Sequence, residues 1–94
     1  MTLTHHARYR CAQRNISVRI LKAVLGHGRL IRGWQSEVFF LGEREVRRAK
    51  SDGLDLSFAR NTQVVCGHDG AVITVYRVDR PVRGWSRQRR RGAR

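Results

Sequence analysis

Two β-branched runs joined by Gly67-His68-Asp69-Gly70 constrain this chain more than any other feature. The runs are Thr62-Gln63-Val64-Val65-Cys66 and Ala71-Val72-Ile73-Thr74-Val75-Tyr76-Arg77, and their composition is that of strands. Asp-Gly is a favoured hairpin turn, because Gly accepts the positive φ such turns demand. Strict alternation places Val72, Thr74 and Tyr76 on one face of the last strand and Ile73, Val75 and Arg77 on the other. Pro81, the only proline, ends the sheet.

Upstream the hydrophobic period is helical. Residues 4–14 read as a helix with Thr4 as N-cap and Asn15 as the stop. Leu3, Ala7 and Cys11 give it a thin apolar stripe at i, i+4, i+8. Ser17 caps a second helix over residues 18–26, which Gly26 and Gly28 end. Val18, Leu21 and Leu25 line one side of it, with Ile20, Ala23 and Val24 beside them. The short connection predicts a helical hairpin.

Between the hairpins the period changes. Residues 30–34 predict a first strand and residues 37–41 a second, stronger one, with Gln35-Ser36 as the turn. Trp34 suits the core. Residues 43–50 favour a short helix that buries Val46 and Ala49, ended by Ser51-Asp52-Gly53. Residues 54–61 read as loop, with Leu54, Leu56 and Phe58 dipping inward. The expected fold is α+β: an N-terminal helical hairpin packed on a mostly antiparallel four-stranded sheet. Residues 1–82 form one domain in this reading, and residues 83–94 a basic, flexible tail.

The 94 residues leave room for one core. Twenty Lys and Arg against seven Asp and Glu give a net charge of +13, unevenly placed. Residues 1–36 carry seven basic groups and no acid, and residues 83–94 six arginines and no acid. Residues 37–82 balance at seven of each. Only Lys22 and Lys50 are lysines. Arginine contacts phosphate bidentately and stacks on bases, so nucleic acid is the partner this charge fits, RNA before DNA. A GC-rich genome explains the Arg/Lys ratio but not the net charge. No apolar run approaches the length of a membrane span, and residues 1–6 lack the apolar segment of a signal peptide. Cys11 and Cys66 are too few for a disulfide framework and are not spaced as a metal knuckle. The expected location is the cytoplasm, with both thiols reduced.

The segment His6-Ala7-Arg8-Tyr9-Arg10-Cys11-Ala12-Gln13-Arg14-Asn15-Ile16-Ser17 resembles the opening of a family of small prokaryotic domains, His-Ala-x-x-Arg-x-x-x-Arg-Gly-Ile-Ser. The end is similar too: a turn with Asp-Gly, then Val72-Ile73-Thr74-Val75-Tyr76. Asn15 stands where Gly is usual, a mild departure because Asn tolerates a left-handed cap. The tail after Arg83 is outside the pattern. The family is grouped with RelE-like toxins and other microbial ribonuclease toxins. The resemblance implies a RelE-like fold, RNA cleavage in a toxin-antitoxin pair, a cognate antitoxin as partner, and a substrate that is RNA, free or ribosome-associated.

His6, Arg10 and Arg14 lie along one side of the first helix, beside the apolar stripe. Cleavage of RNA without metal needs a base for the 2′-hydroxyl, an acid for the leaving 5′-oxygen and cations for the phosphorane. Histidine suits the proton transfers and arginine the charge. Thr74 and Tyr76 share a face, where Thr74 suits a hydrogen bond to phosphate and Tyr76 orientation or base stacking. The catalytic candidates are therefore His6, Arg10, Thr74 and Tyr76. The nucleic-acid-binding candidates are Arg8, Arg14, Arg77, Arg83, Arg87, Arg89, Arg90 and Arg91, with Trp85 among the tail arginines.

Plainer readings stand beside these. His6 suits packing near the first helical turn, the arginines a solvated face, Thr74 an ordinary strand position and Tyr76 a sheet edge. No metal or cofactor is implied: no paired ligand motif and no Gly-x-x-x-x-Gly-Lys run exist, and the acids are scattered. The alternatives to a ribonuclease are a non-catalytic nucleic-acid-binding module and an interaction subunit for an acidic partner.

Overall fold

A computed structural model of the chain describes residues 1–33 and 36–78. Its order is α1 (His5–Gln13), α2 (Val18–His27), β1 (Arg29–Arg32), β2 (Ser36–Leu41), α3 (Glu43–Ser51), a single 3-10 turn (Ser57–Ala59), β3 (Thr62–Gly67) and β4 (Val72–Arg77). The strands form one sheet in the order β1-β2-β3-β4, every neighbouring pair antiparallel. The fold is α+β, with the N-terminal helices preceding the sheet.

Both helices begin where their caps dictate. The Thr4 hydroxyl accepts the Ala7 N–H at 3.1 Å, and the Ser17 hydroxyl accepts the Ile20 N–H at 3.3 Å. Asn15 takes φ 55°, and beyond it the Ile16 N–H reaches back to the Cys11 carbonyl at 2.9 Å. This is a Schellman closure with Asn in the left-handed position. Helix α3 starts at Gly42, whose N–H donates to the Glu45 carboxylate at 2.9 Å. The β3–β4 turn is held by the Gly70 N–H on the Gly67 carbonyl at 3.0 Å, with Gly70 at φ 86°.

The core lies between the helices and one face of the sheet. Ala7, Ile16, Ile20, Leu21, Ala23 and Val24 meet Leu41, Val64, Cys66, Val72 and Val75 there, and Ala49, Leu56 and Ala59 close it. Arg19 adds a lid: its guanidinium sits 3.9 Å from the centroid of the Phe58 ring. The N-terminus joins the sheet directly. Leu3 bridges Val72 in parallel, with the Thr4 N–H on the Val72 carbonyl at 3.0 Å and the Val72 N–H on the Thr2 carbonyl at 2.8 Å.

Several sequence expectations need correction. Val18 is 56% exposed, because the buried side of α2 is the Ile20, Leu21, Ala23, Val24 side. Gly26 lies inside α2, and Gly28 alone caps it. The first strand is Arg29–Arg32, and Ser36 belongs to β2 and not to the turn, since its carbonyl accepts the Gly33 N–H at 2.8 Å. Trp34, expected in the core, lies outside the described residues, as do Pro81 and the tail. Leu54 is 41% exposed, while Leu56 is buried and Phe58 partly so, and residues 57–59 make a helical turn within the expected loop. Alternation in β4 is broken as well: Val65 pairs Thr74 but Cys66 pairs Val72, leaving Ile73 as an extra residue. This bulge turns Val72 onto the core face with Val75.

Two glycines separate backbone crowding from helix propensity. A Cβ on Gly28 would stand 2.5 Å from the Val24 carbonyl oxygen and 3.2 Å from the Phe40 backbone, whereas one on Gly26 meets nothing within 4 Å. Gly28→Ala is expected to destabilise by about 1–3 kcal/mol. Gly26→Ala is expected to stabilise by about 0.5–1 kcal/mol. Urea unfolding of the two variants measures both.

Candidate functional site

Helix α1 carries the basic row. Thr4, its N-cap, also donates its hydroxyl hydrogen to the Ile73 carbonyl at 3.2 Å, so the helix starts against the first half of β4. His6 is exposed and Arg10 half-buried. The Arg10 Nε–H donates to His6 Nε2 at 3.3 Å, and an Arg10 Nη1–H donates to Gln13 at 3.2 Å. The first bond requires an unprotonated Nε2, which is the basic form of the imidazole. At the other end of the row the Arg14 guanidinium lies 6.0 Å from the centroid of the Tyr76 ring, the outer limit of a cation–π contact. The Arg14 Nε is buried and has no hydrogen-bond partner among the described residues. The structure thus brings His6 to Arg10 and Arg14 to Tyr76.

Thr74 and Tyr76 share the face of β4 that points away from the core, as their partners Val65 and Gln63 show. Thr74 is 3% exposed, and its hydroxyl has no hydrogen-bond partner among the described residues. A buried, unsatisfied hydroxyl is uncommon in native proteins and calls for a reason. No hydrogen bond joins it to His6. Since Thr74 is buried and His6 exposed, a substrate phosphate touches both only after the side chains over Thr74 move.

Sequence reasoning missed the residues that continue this face. Cross-strand register sets Arg29, Phe40, Gln63 and Tyr76 in one row across four strands. Arg29 stands over the Phe40 ring at 5.8 Å and 3.9 Å from the Glu45 carboxylate. Glu45 is buried, so it tethers that end of the row while it caps α3. Gln63 is fully buried. The signal was available: Gln63 is the one amide in an otherwise β-branched run, at a position where a strand packed on both faces would carry Val or Ile.

The other candidates lie apart. Arg8 is exposed on α1, and Arg77 is exposed on β4, on the opposite face from Tyr76. Arg83, Arg87, Arg89, Arg90 and Arg91, with Trp85, lie outside the described residues. Burial pushes the Cys11 thiol up, and burial followed by the charges of Glu37 and Asp69 does the same for Cys66, so neither is an activated nucleophile. Among the described residues no group of three or more His, Cys, Asp or Glu is placed to hold a metal ion, and no helix is long and apolar enough to cross a membrane.

No protein family, curated protein or solved structure matches this chain in comparison.

The unsatisfied hydroxyl makes a stability prediction. Thr74→Val keeps the shape and removes a buried polar group that has no hydrogen-bond partner among the described residues, so folding is expected to be unchanged or stabilised by up to about 1–3 kcal/mol. Thermal unfolding of the variant against wild type measures this. A clear loss of stability would mean that the hydroxyl has a folding partner.

Proposed function

We propose that this protein binds RNA and cleaves it without metal, as the toxin of a toxin-antitoxin pair, with α1 and the end of β4 as its site. The observation that carries the reading is the contact of Arg14 with Tyr76. It ties a helix bearing two imidazoles and several guanidiniums to a strand face bearing a hydroxyl and a phenol. Residues 1–36 hold no carboxylate to oppose a phosphate there. The resemblance of residues 6–17 and 69–76 to a family of small prokaryotic domains grouped with RelE-like toxins points the same way.

In this reading His6 takes the proton of the 2′-hydroxyl through the nitrogen that otherwise accepts from Arg10. Arg10 is then released to turn its donors on the phosphate, and Arg14 adds a second charge as the phosphorane forms. Tyr76 orients the phosphate or stacks a base, and Thr74 gives the phosphate a hydrogen bond once uncovered. The leaving 5′-oxygen takes a proton from water, and the His6 imidazolium returns its proton to the hydroxide so formed; the products are a 2′,3′-cyclic phosphate and a free 5′-hydroxyl. A cognate antitoxin would neutralise the protein by covering this row.

The second reading, a non-catalytic RNA-binding module, is favoured by one observation: His6 is exposed while Thr74 is buried, and no hydrogen bond joins them. Purified protein with single-stranded RNA and EDTA separates the two. Cleavage to cyclic-phosphate ends is expected, with a 2′-deoxy substrate left intact. His6→Ala is expected to slow the reaction by about 10²–10⁴-fold and to relieve growth arrest on expression in a bacterium. RNA that is bound but uncut by wild type at low salt decides for the second reading.

A further inference from the structure

A second positive feature lies at the end of β4, beside Arg77. Ser57, Arg60, Asn61, Arg77 and Val78 line an open cavity of about 300 Å³. None of the lining residues among those described is acidic. Its walls are set by backbone bonds: the Asn61 N–H donates to the Leu41 carbonyl at 2.6 Å, and the Asn61 carbonyl accepts the Val78 N–H at 2.8 Å. Asn61 itself takes φ 59°, which turns the chain sharply between the 3-10 helix and β3. Residues 60–61 are thereby held against residues 77–78.

The two arginines differ in what holds them. Arg60 lies 3.3 Å from Glu43, with the two side chains 50% and 60% exposed. Such an open pair is weak and readily exchanged for a stronger anion. Arg77 has no ion pair and no side-chain hydrogen bond among the described residues. A guanidinium is a fork of donors, the geometry that takes phosphate bidentately. The Ser57 hydroxyl already donates to Asp55 at 2.7 Å, and the cationic donors among the described lining residues are the two arginines.

We propose that this cavity is a phosphate-binding site, separate from the α1 row, in which Arg60 and Arg77 clamp one phosphate group. Arg77 and Tyr76 are neighbours in β4 that point to opposite faces. Tyr76, which meets Arg14 of the α1 row, and Arg77 of the clamp are adjacent at the end of β4, so a strand of RNA crossing there reaches both. That role as a second backbone contact rests on the RNA reading above. The phosphate site itself does not, because free phosphate offers the same oxygens.

The test uses the full chain. Inorganic phosphate, followed by amide NMR shifts, is expected to move Arg60, Asn61, Arg77 and Val78 in wild type and to leave them still in Arg60→Gln and Arg77→Gln. Arg77→Lys, which keeps the charge but not the fork, is expected to bind phosphate more weakly than wild type. In the second arm a short and a long 2′-O-methyl oligoribonucleotide are titrated across a range of salt. Arg77→Gln is expected to lower the log–log salt slope for the long one by about 0.7 and to leave the short one, which reaches only the α1 row, unchanged. Phosphate shifts that are absent, or that persist in both Gln variants, overturn the site. Phosphate shifts with unchanged long-RNA binding keep the site as one for free phosphate and overturn its role on RNA. Failure of the RNA reading alone abolishes oligonucleotide binding in both lengths while the phosphate shifts remain. Both arginines are at least half exposed or on an open edge, and an unchanged melting temperature identifies variants that fold.

Discussion

The pairing of the N-terminus with β4 is the interaction on which the rest of the molecule depends. Three hydrogen bonds do it: Thr4 N–H to Val72, Val72 N–H to Thr2, and the Thr4 hydroxyl to Ile73. Thr4 is the pivot, because the same hydroxyl that donates to the strand accepts the Ala7 N–H and starts α1. The helix therefore has no freedom to begin elsewhere, and its basic row is set beside β4 from His6 at one end to Arg14 at the other. Ala7, fully buried, seals that contact where a larger side chain would not fit.

The β-bulge at Ile73 completes the arrangement. By adding one residue it allows Val72 and Val75 to face the core together. Thr74 and Tyr76 are then the residues left to the other face. The protein accepts there a buried hydroxyl that has no hydrogen-bond partner among the described residues, in a strand where valine would pack as well. Local rules are most often broken in this way where a site needs a group that folding does not. The cross-strand row Arg29, Phe40, Gln63 and Tyr76 has the same character: polar groups at its ends and centre, on a face where β2 and β3 also bury Val38 and Val65.

Much of the fold was legible from local chemistry. Thr4 and Ser17 as caps, Asn15 as the left-handed stop, Gly70 in the hairpin and the change of period after Gly28 are each decided by a residue and its near neighbours. What was not legible depends on partners distant in sequence. Val18 and Ile20 are alike as residues, and only the packing of α2 on β2 and β3 exposes one and buries the other. The bulge at Ile73 leaves no mark in an unbroken β-branched run. The Leu3–Val72 bridge joins segments 69 residues apart by the spacing of its Thr4–Ile73 bond, and no local pattern announces it. Of the candidate site, the row on α1 was readable because helical spacing is local. Its meeting with Tyr76 was only an expectation until the N-terminal pairing was seen, and Arg29 and Gln63 enter through sheet register alone.

The central claim is that nucleic acid lies along α1 and the end of β4. Photo-crosslinking of a 2′-O-methyl oligoribonucleotide, which binds but cannot be cut, tests it most directly when the attached peptides are mapped. The account predicts crosslinks at residues 6–14 and 74–76. Crosslinks confined to α3, or to residues 83–94 with none on α1, would contradict it.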